Sequence, residues 1–323
     1  MKKHKICKIL LVILAIFLCV AFYELLGICV AYKKQLEVSN TTKKETKNGS
    51  WNECSENTER AVIIEKNPEA LLQRVRLIKN AKKEIILSTF AFQSDESGKL
   101  ILGALHDAAD RGVHIRLLVD GMESWIDMEG NPYFYGLSSH ENVEIKLYNK
   151  ANPLKPWKMM GRMHDKYLIA DGKRYILGGR NTYNYFLGDF PGHKNYDRDV
   201  LVVCDEPEKE NSVNQLLEYF ETIWEQEDSG YFHNNKKLAN RKSVKNAVLE
   251  LQNGYQKYFE ENKERICDTD YTDETFETEK IALVSNPIHT GSKEPVVWYQ
   301  LGELMKNAKN RVKIHTPYII CMI

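Results

Sequence analysis

The 323-residue sequence is short of several things. It has no excess charge, since 45 Lys and Arg are balanced by 45 Asp and Glu. A protein that holds nucleic acid across its surface carries a basic balance, so a nucleic-acid partner is disfavoured, although a local basic rim stays open. Its seven cysteines fall at no paired spacing. Cys7, Cys19 and Cys29 lie in the first, hydrophobic segment, and Cys54, Cys204, Cys267 and Cys321 are scattered. Neither a disulfide framework nor a zinc site is expected. Cys204 ends an apolar run and reads as a buried thiol.

What is present begins with a membrane signal. Lys2, Lys3, Lys5 and Lys8 precede a run from Ile9 to Tyr32 that is almost wholly apolar. That length crosses a bilayer. It is long for a signal-peptide core and lacks a convincing small-x-small cleavage site, so an uncleaved anchor is preferred. Glu24 is costly at the bilayer centre, which favours a place near the outer interface or against a partner helix. The leading lysines favour a cytoplasmic N-terminus, with the catalytic part on the extracytoplasmic side of the cell membrane.

Residues 33–60 are polar and read as a flexible stalk in which Trp51 is incidental. From Ala61 helical and strand periods alternate: a helix from Asn67 to Asn80, a strand from Glu84 to Phe92, a helix from Lys99 to Arg111, and strands over 113–119 and 142–148. That alternation argues for an α/β domain over 61–224. Residues 225–280 read as a linker with a connecting helix. The loop from Lys150 to Arg162 mixes cations with Pro153, Pro156, Trp157, Met159 and Met160. It suits an anionic lipid surface, or equally a loop packed on the domain with solvated lysines.

The chemistry concentrates in the stretch from Met163 to Asn181. Read as a strand, it puts His164 and Lys166 on one face, about 7 Å apart. Asp171-Gly172 signals a hairpin turn, and the returning strand ends in Gly178-Gly179 followed by Asn181. Imidazole can attack phosphorus, an ammonium can hold the non-bridging oxygens, and glycines admit a close backbone approach. No cysteine or carboxylate cluster surrounds the pair at metal-ligand spacing, so nucleophilic catalysis without metal or cofactor is expected.

His164, Lys166, Asp171, Gly178, Gly179 and Asn181 match the string H-x-K-x4-D-x6-G-G/S-x-N at every position. The sequence thereby resembles the phospholipase D superfamily. Gly179-Arg180-Asn181 with Tyr185-Phe186 is more similar to the bacterial cardiolipin synthase branch than to the nuclease branch. The resemblance implies a mixed β-sheet flanked by helices, with His164 as the nucleophile that forms a phosphohistidine. It implies that Lys166 and Asn181 hold phosphate oxygens, that Asp171 is supportive, and that Gly178, Gly179 and Arg180 border the substrate. An acid in the following strand often orients the histidine. Asp197 and Asp199 are the candidates, with Asp199 preferred.

An internal repeat closes the chain. Met305-Lys306-Asn307-Ala308-Lys309 echoes Ile78-Lys79-Asn80-Ala81-Lys82, and Val312, Ile314 and Thr316 echo Ile85, Leu87 and Thr89. Residues 281–323 thus read as the start of a second repeat, cut short in a buried strand. The same offset would put a second catalytic histidine near position 391, beyond Ile323. His315 lacks the motif's context and is not assigned as the acid. A second motif half, or a partner supplying it, is expected to protonate the leaving group.

Three functions stay in play. One is a membrane-anchored phosphatidyltransferase or phosphodiesterase acting on phosphatidylglycerol-like lipids. The others are a dimeric nuclease-type phosphodiesterase and an inactive membrane-bound fragment.

Overall fold

The structure, a computed structural model, describes residues 2–31, 33, 36–49, 59–204, 206, 211–233 and 235–314. Trp51, Cys54, Thr316, Cys321 and His315 lie outside the described residues. The apolar N-terminal run forms α1 (Lys2–Ala31), among the described residues the one helix long and apolar enough to cross a membrane. The short helix α2 (Asn40–Asn48) follows, capped by Ser39.

The next part alternates as its hydrophobic periods require. It runs β1 (Glu59–Ile64), α3 (Asn67–Asn80), β2 (Glu84–Thr89), α4 (Glu96–Asp110), β3 (His114–Asp120), α5 (Gly121–Asp127), α6 (Pro132–Ser138) and β4 (Val143–Tyr148). The motif forms β5 (Lys166–Ala170) and β6 (Arg174–Gly178), followed by β7 (Asp199–Cys204) and α7 (Ser212–Trp224). Then come β8 (Ser229–Tyr231), α8 (Lys242–Glu261), α9 (Lys263–Cys267), β9 (Phe276–Glu277) and α10 (Val296–Asn307).

The strands form one sheet in the order β8-β4-β3-β2-β5-β6-β7-β1-β9. β2, β3 and β4 are parallel, and the other pairings are antiparallel. This is the mixed α/β sheet that the alternation implies. Strand side chains alternate faces, and here each face is covered. Leu87, Leu117, Leu168 and Leu201 meet α3, α4, α6 and α8 on one side. Ile86, Leu118, Ile169 and Val202 meet α7 on the other, through Val213, Leu216 and Phe220. The motif strand β5 therefore lies at the centre of the sheet, buried on both faces.

Three expectations need correction. Residues 225–280 are not a free linker. β8 pairs with β4, and Val244, Leu251, Tyr255 and Phe259 of α8 enter the core at helical spacing. The polar stretch 33–60 is not uniformly a stalk, because α2 forms within it and the Ser39 amide donates to Glu294 Oε1 at 2.8 Å. The repeat's helix is present as α10, but Val312 and Ile314 are exposed rather than in a buried strand. Among the described residues they pair with no strand.

Candidate active site

The approach to the motif is set by one buried carboxylate. Asp120 ends β3 and accepts from the amides of Met122 and Glu123, which start α5. It also accepts from the Met163 amide at 3.0 Å and pairs with Arg162 at 2.7 Å. The backbone just before His164 is thus fixed to the end of a central strand. The strand proper starts at Lys166, later than the sequence suggests, because Asp120 and the loop before it take the bonds that a ladder would use.

His164 and Lys166 come together. The Lys166 ammonium lies 3.0 Å from His164 Nδ1 and donates to the His164 carbonyl at 2.7 Å. An ammonium has only hydrogens to give, so Nδ1 is the acceptor and the neutral ring carries its proton on Nε2. The Phe90 ring packs 4.6 Å from the imidazole and lies under both Lys166 and Arg162. Burial lowers the His164 pKa, and the Lys166 and Arg162 charges lower it further against the pull of Asp120. Lys166 is lowered to about 8 by burial, with Asp165 and Asp197 opposing.

The hairpin turn forms with both Asp171 and Gly172 at positive φ. Asp171 lies at the far end of β5 from Lys166, about 16 Å along the strand. Its carboxylate accepts from the amides of Lys82, Lys83 and Glu84 at 2.7–3.1 Å. It ties the α3–β2 loop to the hairpin and does not reach the imidazole.

On the return strand, space explains the two glycines. A Cβ at Gly178 would lie 2.1 Å from Asp199 Oδ1, and one at Gly179 would lie 2.0 Å from Asp197 Oδ2. Asn181 then turns towards the C-terminal end of β2, where its Oδ1 accepts from the Ala91 amide at 3.2 Å. That bond leaves the amide NH2 as its donor end. Asn181 and Lys166 thus share a frame, since Lys166 is paired with Thr89 in the sheet.

Arg180 and Asp199 do not join this group. Arg180 is 1% exposed and donates to Asn67 Oδ1 and to the carbonyls of Ile64 and Glu65. Asp199 is paired with Arg74 at 2.9 Å and with Arg180 at 3.2 Å. The Asp199 expected to orient His164 is instead the counter-ion of two buried guanidiniums. The Arg180 expected to border substrate ties β7 to the β1–α3 loop. Arg180 bonds to Asn67 while Asn181 bonds to the Ala91 amide, so the two side chains diverge.

The sequence reading missed several residues. Asp165 accepts from the Tyr219 hydroxyl at 2.8 Å, and burial raises its pKa. Lys293, from the segment before α10, lines a cavity of about 370 Å³ with His164, Lys166, Gly178, Tyr219 and Asn286. Its position depends on a tertiary contact more than a hundred residues away, which no local pattern announces. Asp120 and Phe90 had a weak signal, each at the C-terminal end of a strand, where α/β sites gather.

A neutral imidazole capped by an ammonium, in a cavity that Gly178 also lines, is an arrangement able to bind and attack a phosphoryl group. The chain carries a phospholipase D-like domain. Residues 74–224 match the family model described as "Cardiolipin synthase, PLD-like domain". The chain is 30% identical over 212 residues to an uncharacterized protein of Helicobacter pylori strain J99, covering 61% of this chain and 39% of that one. It is 29% identical over 171 residues to cardiolipin synthase C of Escherichia coli K12, covering 49% of this chain and 34% of that one. Among solved structures, NucT from Helicobacter pylori is similar at 16% identity and a TM-score of 0.43, covering 54% of this chain and 99% of that one. The chain therefore spans well under half the length of the two curated relatives named.

Proposed function

We propose that this protein is a membrane-anchored phosphatidyltransferase of the cardiolipin synthase kind, working through a covalent phosphohistidine at His164. The observation that carries the reading is the 3.0 Å contact between Lys166 and His164 Nδ1. A phosphodiester entering the cleft draws the ammonium from the ring to a non-bridging oxygen. The same movement uncovers the imidazole lone pair and offsets charge on the phosphate. The imidazole nitrogen attacks phosphorus, and the bond to the leaving alcohol's oxygen breaks. The leaving oxygen takes a proton from a second imidazole, which this reading assigns to another copy of the motif. An acceptor hydroxyl then attacks phosphorus and gives its proton to that second imidazole, and the bond between phosphorus and the His164 nitrogen breaks. The Asn181 NH2 group supplies a further donor to the phosphate. Phosphatidylglycerol fits as substrate because α1 would hold the site at a lipid surface.

Labelled phosphatidylglycerol in vesicles tests the substrate class. Turnover by the wild type, lost in His164→Ala, is expected. Cleavage of single-stranded DNA without lipid turnover would overturn the lipid reading.

A further inference from the structure

The loop that leads into the active site meets the apolar helix directly. The Tyr23 hydroxyl of α1 donates to the Leu154 carbonyl at 3.1 Å. One turn on, Gly27 lies against Pro156, and a Cβ there would come within 2.5 Å of the proline ring. Only glycine allows the loop this close. Around the contact, large apolar side chains face outward. Leu154 is 78% exposed, Trp125 and Ile126 of α5 are each 68% exposed, and Trp157 and Met160 are about half exposed. α5 and the loop are neighbours, since Trp125, Ala151 and Pro153 line one cavity. Lys155 of the loop is exposed, and so is Lys33, which follows the end of α1.

The helix supplies the depth. Glu24 belongs near an interface rather than at a bilayer centre, and a tyrosine beside it fits the aromatic belt. Tyr23 to Gly27 lies in the last ten residues of the apolar run, about 8–14 Å of helix axis short of Tyr32, so the loop tied to it sits in the outer leaflet, just below the headgroups. Exposed Trp, Leu and Met side chains at that level lose their contact with water to lipid, while lysines reach the headgroups.

We infer that Leu154 to Met160 together with Trp125 and Ile126 form a second membrane contact, which inserts into the interface of an anionic bilayer beside α1. The inference rests on the reading of α1 as an anchor. This contact fixes the orientation of the catalytic cleft to the membrane, because Arg162 and His164 follow directly on the loop.

Depth-dependent fluorescence quenching tests it on the full chain. The native cysteines are replaced by serine, and a nitrobenzoxadiazole label is attached at Leu154→Cys, Leu18→Cys or Ile63→Cys. Ile63 is exposed on β1, six strands from β4 and about 29 Å across the sheet. Vesicles contain phosphatidylglycerol, phosphatidylcholine and a lipid carrying a nitroxide high on its acyl chain. Quenching at Leu154 several-fold above that at Ile63 is expected. Quenching at Leu18 with none above the Ile63 level at Leu154 overturns the second contact and leaves the anchor standing. No quenching at Leu18 or Leu154 removes the anchor and the inference with it. Neither outcome bears on the phosphoryl chemistry, which is read separately by turnover.

Discussion

Lys166 spends its ammonium on His164, at 3.0 Å from Nδ1 and 2.7 Å from the carbonyl of the same residue. The cation and the imidazole are therefore already in contact. Burial lowers the His164 pKa and the Lys166 charge lowers it further, and the consequences are measurable.

The first concerns alkaline pH. Lys166 is lowered to about 8, so its charge is present below that pH and lost as pH rises through it. In the proposed mechanism that charge holds the phosphate, so kcat/KM should fall by up to about tenfold per unit above pH 8. Lys166→Arg keeps its charge well beyond that range and should abolish the alkaline limb, even with a lower plateau. A pH–rate profile of both proteins decides it.

The second concerns His164 itself. Burial and two cations lower its pKa, so it stays neutral to a lower pH than a free histidine. Lys166→Met removes one of those cations, which favours the imidazolium and should raise the His164 pKa. NMR titration of the imidazole resonances reads the shift. A pKa that stays put or falls would show that the ammonium does not act on the ring.

A third prediction separates stability from catalysis at Asp199. Asp199→Ala leaves Arg74 and Arg180 facing each other without a counter-ion. Removing one partner of a buried pair costs about 3–5 kcal/mol. Denaturant unfolding should show that loss. The protein that remains folded should keep the wild-type pH profile, which an orienting carboxylate would not allow.

Asp171 gives the fourth. Asp171→Ala frees three loop amides at the far end of β5 and should cost about 1–3 kcal/mol of stability. Turnover by folded protein should stay close to wild type. A collapse of kcat at unchanged stability would return Asp171 to the chemistry.

Much of the fold was legible because local periods match the elements they became. α3 spans Asn67 to Asn80 as its apolar spacing requires, and the Asp171-Gly172 turn forms at the residues that tolerate positive φ. The pairing of His164 with Lys166 was legible too, because their spacing is local. The fates of Asp199 and Arg180 were not. Whether a carboxylate serves an imidazole or a guanidinium depends on which helix packs nearby, and Arg74 arrives from α3, far away in sequence. The place of Lys293 in the cleft and the burial of α8 have the same cause. Both rest on long-range packing: a helix is readable over α8, but not the core that it joins.

The most direct test is to trap the intermediate. Wild-type protein is mixed with phosphatidylglycerol, quenched at alkaline pH within the first turnover, and its peptides are mapped by mass spectrometry. A phosphatidyl adduct on His164, absent from His164→Ala, is predicted. Turnover that persists in His164→Ala, or an adduct on another residue, would contradict the account.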